Sequence, residues 1–78
     1  MPFVVSQRCD YRGKDIFVSI IQLPHHLASM RCGEVLELIS DDPAAFLEIK
    51  AWSKLTGHLV VEIIEKEEIT CFLIQKTF

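Results

Sequence analysis

A chain of 78 residues, half of them hydrophobic, allows one small domain that buries roughly 60% of the surface its unfolded form exposes, and no apolar run approaches membrane-spanning length. The formal net charge of −3 and a pI near 5.5 argue against tight nonspecific binding to a phosphate backbone, which depends on clustered Lys and Arg, so no direct nucleic-acid ligand is expected. Three cysteines, Cys9, Cys32 and Cys71, form no CxxC pair and imply neither a closed disulfide framework nor a zinc ribbon; reduced, mostly buried thiols are the expectation.

In chain order, Phe3 to Cys9 begins with aromatic and β-branched residues and stops at an Asp/Gly-bearing turn, Asp10 to Gly13, as a first strand should. Ile16, Phe17, Ile20, Ile21, Leu27 and Ala28 then recur at three- and four-residue steps, the apolar face of a helix lying on a sheet. Its start has two readings. Ser19 with Gln22 forms a capping box, whereas Pro24 fits best at a first helical position; a Ser19 cap would leave Pro24 clashing with the carbonyl of Ile20. A distorted first turn and regular helix only from about Leu23 to Arg31 are therefore expected, ended by Cys32-Gly33.

Glu34 to Ser40 reads as a second strand. Asp42 is expected to cap a second helix with Pro43 at its first position; Ala45, Phe46, Ile49 and Trp52 form the buried stripe, Lys50 and Lys54 face solvent, and Gly57 closes it. His58–Glu65 and Ile69–Lys76 make an antiparallel hairpin around a charged, solvated tip, Glu65 to Glu68. The order strand, helix, strand, helix, strand, strand predicts an α/β (α+β) fold: a two-layer sandwich of a four-stranded mixed sheet with both helices on one face, a single domain over 1–78.

Arg12-Gly13, Gly33, Asp41-Asp42-Pro43-Ala44, Trp52, Gly57-His58 and Ile74-Gln75-Lys76 stand, without gaps, at the spacing of the TusA/SirA sulfur-carrier family, a resemblance that covers nearly the whole chain. The resemblance implies the family fold more securely than the family activity. In that family a Cys-Pro-x-Pro segment opens the first helix, and its thiolate accepts a persulfide sulfur and passes it on. Here Ile16-Phe17-Val18-Ser19 occupies that place, and an isoleucine side chain offers neither a lone pair nor an ionisable proton.

The candidates for chemistry each have a structural counterpart. Cys9, at the end of the first strand, is a weak candidate for a displaced sulfur acceptor, with packing the better reading, and Cys32 and Cys71 read as structural. Ser19 lacks the His and Asp spacing that would activate it and reads as a cap. His25 and His26 are adjacent and diverge by about 100° on a helix, wrong for joint chelation, so no metal is expected, nor any cofactor. Asp42 and Pro43 are accounted for by the helix start. Ile16-Phe17 either enters the core or forms an exposed docking patch, and Arg12, Gly13, Ile16, Phe17 and Ser19 are the partner-binding candidates.

These readings converge on a non-catalytic protein-binding or regulatory relative of the sulfur carriers, its partner a sulfur-relay or redox protein, with binding favoured over catalysis. An atypical sulfurtransferase using Cys9 and a structural homodimer are the alternatives; a mean hydropathy of +0.29 favours apolar surface covered by a partner or a second copy. Met1 to Val5 lack the features of a secretory signal, and a cytoplasmic chain without membrane association is expected.

Overall fold

A computed structural model of the chain describes residues 3–78; Met1 and Pro2, which were read for a secretory signal, lie outside the described residues. Six elements follow in order: β1 (Val5–Asp10), α1 (Ile16–Ala28), β2 (Val35–Ser40), α2 (Ala45–Thr56), β3 (Leu59–Lys66) and β4 (Ile69–Gln75). The strands form one mixed sheet in the order β1-β2-β4-β3, with β1 parallel to β2 and the other neighbours antiparallel. Both helices cover one face of the sheet. Cys9, Leu36, Leu38, Phe72 and Ile74 from the sheet meet Ile16, Leu23 and Leu27 of α1 and Ala45, Ile49 and Trp52 of α2 in a continuous core. No helix among the described residues is long and apolar enough to cross a membrane.

The largest departure from expectation lies in α1. The helix is continuous from Ile16, with Pro24 inside it, and neither Ser19 nor Pro24 begins it. Asp15 is the cap: its backbone is extended and its carboxylate accepts the Phe17 N–H at 2.8 Å. Pro24 leaves the Ile20 carbonyl without its intrahelical partner, a cost on the order of 3 kcal/mol, which the burial of Ile16, Leu23 and Leu27 along the same helix offsets. The helix also stops three residues early, at Ala28. Lys76 reaches across from the end of β4 and its ammonium donates to the carbonyls of Leu27 and Met30, both at 2.7 Å, satisfying acceptors at the helix end. Gly33, at φ +91°, instead shapes the turn into β2 and donates its N–H to the Lys76 carbonyl.

With the helix starting at Ile16, its inward face is Ile16, Ser19, Leu23 and Leu27, with Ile20 half-buried. Phe17, Ile21 and Ala28, read from the sequence as part of the apolar face, lie on the neighbouring stripe and are exposed, together with Pro24. The same correction applies to Phe46 of α2. It lies at the margin of solvent with the Lys50 ammonium 4.9 Å above its ring, while Ala45, Ile49 and Trp52 are buried as expected and Gly57 closes the helix in the left-handed conformation.

At the β3–β4 turn Glu67 adopts φ +38°, the only non-glycine residue among those described with positive φ. An L side chain is strained there, so Glu67→Gly is expected to raise stability by about 0.5–1 kcal/mol in chemical denaturation; a loss instead would mean that the side chain contributes more than its backbone costs.

At the far end of the sheet the buried imidazole of His58 stacks between Trp52 and Phe78, at ring-centroid distances of 5.8 and 4.1 Å. Burial, and secondarily the Lys76 charge, hold its pKa below the usual 6.5. The unfolded chain therefore takes up the proton first, and stability falls as pH drops through about 6.5 toward the lower folded value. His58→Phe is expected to flatten the unfolding midpoint between neutral and mildly acidic pH, above the carboxylate range; an unchanged slope would assign the effect to another group.

Candidate functional site

The turn from Asp10 to Asp15 carries β1 to the start of α1, and four carboxylates shape it. Asp10 holds Arg12 through a guanidinium pair, Nη2 to Oδ2 at 2.6 Å and Nε to Oδ1 at 2.9 Å, and these hydrogen bonds pull the Asp10 carboxyl below its usual pKa. Gly13, at φ +81°, donates its N–H to both oxygens of Asp41, at 3.0 and 3.1 Å. Asp15 caps α1. Asp42 does two things at once: Oδ1 accepts the Ala44 N–H at 2.8 Å, and Oδ2 accepts the N–H of Ile16, the first residue of α1, at 2.7 Å. Its pKa is lowered by these bonds, the one from Ala44 first.

Asp42 was expected to cap α2 with Pro43 at its first position. The α-helix proper instead begins at Ala45, after a tight turn closed by Ala45 N–H to the Asp42 carbonyl, so Pro43 lies before the helix and the Asp42 side chain holds that turn through the Ala44 N–H. What the sequence did not reveal is its second bond. One carboxylate joins the starts of both helices, and Asp41 beside it holds the preceding loop.

The free N–H groups of a helix start ordinarily favour an anion or a thiolate. Here they are already taken: Ile16 N–H by Asp42, Phe17 N–H by the Asp15 side chain, Val18 N–H by the Asp15 carbonyl. Two carboxylates at this helix end make it a poor place to stabilise a further negative charge.

The side chains of the candidate segment divide sharply. Ile16 is 0% exposed and belongs to the core, whereas Phe17 is 52% and Ile21 65% exposed, with Val18 between them on the same end of α1. Ile16 therefore enters the core while Phe17 is exposed, because consecutive helical side chains diverge by about 100°. Of the five partner-binding candidates, Arg12, Gly13 and Phe17 are exposed; Ile16 and Ser19 are buried and present no surface. Ile21 was missed because it was read as core.

Ser19 caps nothing. Its hydroxyl is fully buried on the inward face of α1 without a hydrogen-bond partner. An unpaired buried hydroxyl costs about 1–3 kcal/mol, so Ser19→Ala is expected to raise stability by about 1 kcal/mol in urea denaturation. A loss of that size would reveal a hydrogen bond that the helix makes on fluctuation.

The remaining candidates are scattered. Cys9 is buried, and burial pushes its thiol pKa up, the reverse of what an accepting thiolate needs; Cys71 is also buried and shifted up, chiefly by burial. Cys32, expected to be a buried thiol, is exposed in the turn after α1. His26 pairs its Nε2 with the Tyr11 hydroxyl at 2.7 Å while neighbouring His25 is exposed, and His58 follows α2 and stacks between Trp52 and Phe78. Among the described residues no three His, Cys, Asp or Glu side chains gather as a metal set.

Comparison with known proteins agrees with this frame. The sequence profile of the family described as "Sulfurtransferase TusA" matches residues 9–76. The chain is 31% identical over 72 residues to "Sulfur carrier protein TusA" of Allochromatium vinosum, covering 92% of this chain and 95% of the relative. It is 30% identical over 67 residues to "Putative sulfur carrier protein YrkI" of Bacillus subtilis, covering 86% and 89%, and 28% identical over 67 residues to a "Putative sulfur carrier protein" of Archaeoglobus fulgidus, covering 86% and 92%. The match runs from the end of β1 through β4 and takes in the Asp41-Asp42 anchor and both helices, and the chain belongs to the TusA family of sulfur carriers.

Proposed function

We propose that this chain is a protein-binding module of its family that keeps the sulfur-carrier frame without carrying persulfide sulfur. The observation that carries the reading is Ile16: the position that opens α1 holds a fully buried aliphatic side chain, and the N–H groups around it are bound to Asp15 and Asp42. Ile16 itself offers no thiol, and burial shifts those of Cys9 and Cys71 away from the thiolate.

The face that remains is apolar. Phe17, Val18 and Ile21 are exposed in the first half of α1, flanked by Arg12 and Gly13 of the preceding turn. An exposed aromatic and two aliphatics on a rigid helix form the centre of a small protein interface, with the polar turn as its rim. The relatives are named as sulfur carriers, which makes a sulfur-relay or redox protein the partner proposed here.

The test is incubation with a cysteine desulfurase and cysteine, followed by intact-mass measurement, beside a binding titration with the same desulfurase and with a cysteine-bearing carrier of the family. Binding without a gain of sulfur mass is the expected result. A sulfur adduct lost in Cys9→Ser would replace this reading with a carrier that uses Cys9, and absence of binding to every sulfur-relay protein tried would remove it.

A further inference from the structure

The end of the molecule opposite the Ile16 turn holds a groove of about 330 Å³, between the last turns of the two helices and the ends of β3 and β4. It is lined by Pro24 and Leu27 of α1, Trp52 of α2, His58, Lys76 and Phe78. The volume is at the lower end of the range for small-molecule sites, and the composition is that of such a site: mostly apolar and aromatic walls with few polar groups.

Thr56 also lines the groove, but its hydroxyl is taken up locally, donating to the Trp52 carbonyl at 2.9 Å and accepting the His58 backbone N–H at 3.4 Å, which leaves Lys76 and His58 as the donors free to meet a ligand. The Lys76 ammonium is fixed by its bonds to Leu27 and Met30, each at 2.7 Å, which use two of its three N–H groups. No carboxylate among the described residues lies within ion-pair distance of it; the ion pairs are Arg8 with Glu37 and Arg12 with Asp10. His58 accepts the Thr77 N–H at Nδ1, at 3.2 Å, so the neutral ring carries its proton on Nε2, which has no partner among the described residues. No acidic residue lines the groove. Asp41, Asp42, Glu65, Glu67 and Glu68 surround a separate cleft beside the start of α2 and the β3–β4 turn.

We propose that this groove binds a small monocarboxylate with an aromatic body, its ring against Pro24, Leu27 and Trp52 and its carboxylate accepting from the remaining N–H of Lys76 and from His58 Nε2. An aromatic ring matches walls already built from the Trp52–His58–Phe78 stack. A carboxylate matches a preset ammonium that has only neutral carbonyls for partners. The C-terminal ends of two helices oppose an anion here, and Lys76 offsets that field at α1, so the affinity is modest. The inference is independent of the binding role assigned to the Phe17 end of α1.

Trp52 is the sole tryptophan and lines the groove, which makes its emission a direct reporter. Titration with phenylacetate is expected to change that emission saturably, with a dissociation constant on the order of 1 mM for a ligand of about ten heavy atoms. Phenylacetamide, its uncharged counterpart, and phenethylamine are expected to bind at least about tenfold more weakly. Amide resonances that move are expected to cluster at Leu27, Ala28, Trp52, His58 and Lys76. Lys76→Met is expected to weaken phenylacetate at least about tenfold. Because Lys76 also holds the end of α1, Ala28→Phe is the second variant: it fills the groove from an exposed helical position and is expected to abolish binding with an unchanged unfolding midpoint. A response that does not saturate, an amide or amine that binds as tightly as the acid, resonance shifts centred elsewhere, or full binding by Ala28→Phe would each overturn the proposal.

Discussion

Ile16→Ala is expected to destabilise the protein by about 2–4 kcal/mol, the range for truncating a fully buried branched aliphatic in a core that cannot collapse around the gap. A chain of this length has a total stability on the order of 4–12 kcal/mol, so the variant stands near its unfolding threshold at 37 °C. Urea denaturation with a matched slope checks the value; a loss under about 1 kcal/mol would mean that Ile16 is not packed as described. Ile16→Cys, which places a thiol where the family resemblance led one to be expected, should cost less, about 1–2 kcal/mol, because it keeps part of the buried volume. It is not expected to restore a carrier. Its side chain enters the core rather than solvent, and the N–H groups that could stabilise a thiolate are held by Asp15 and Asp42. Fast alkylation of this variant at neutral pH, or persulfide loading by a desulfurase, would show that the residue at 16 alone decides the chemistry.

The double variant Phe17→Asp, Ile21→Asp is expected to fold as the parent does and to lose partner binding by about 30-fold or more. Both side chains are largely exposed, and exposed helical substitutions generally change stability by no more than about 0.5 kcal/mol each. In an interface, by contrast, an aromatic anchor and its aliphatic neighbour carry on the order of 2 kcal/mol or more, and a carboxylate in their place is desolvated without a partner. Leu55→Asp is the control. Leu55 is more exposed still, but it lies in the last turn of α2, away from this face, and its replacement is expected to leave affinity unchanged. Calorimetric titration against a sulfur-relay partner separates the outcomes: undiminished binding by the double variant would move the interface elsewhere, and equal losses in the control would point to a nonspecific effect of charge.

The fold was legible because its determinants are periodic and local. Alternation in the strands, the Asp42-Pro43 helix start, the Gly57 stop and the stripe Ala45, Ile49, Trp52 all follow from spacing, and the structure places them where expected to within one or two residues. The start of α1 was misplaced because two strong local signals, the Ser19 box and Pro24, outweighed a third: Asp15 directly before the first apolar residue is a cap signature that sequence alone displays. Core packing overrides the cost of Pro24, and no local rule weighs one against the other. The faces of α1 were misread separately, because apolar spacing fits Phe17 and Ile21 as well as Leu23 and Leu27, so Ile21 was counted as core and Ser19 as surface. The bonds from Asp41 to Gly13 and from Asp42 to Ile16 span 28 and 26 residues, and only the assembled sheet brings them together.

Those two bonds end on peptide N–H groups, not on side chains. Every amino acid but proline brings the same donor to position 16, so the turn is held in place by atoms that no substitution there, proline excepted, can alter. Backbone geometry and side-chain chemistry are thereby set separately in this scaffold: the residue at position 16 can change while the bonds that place the helix start and the loop before it remain.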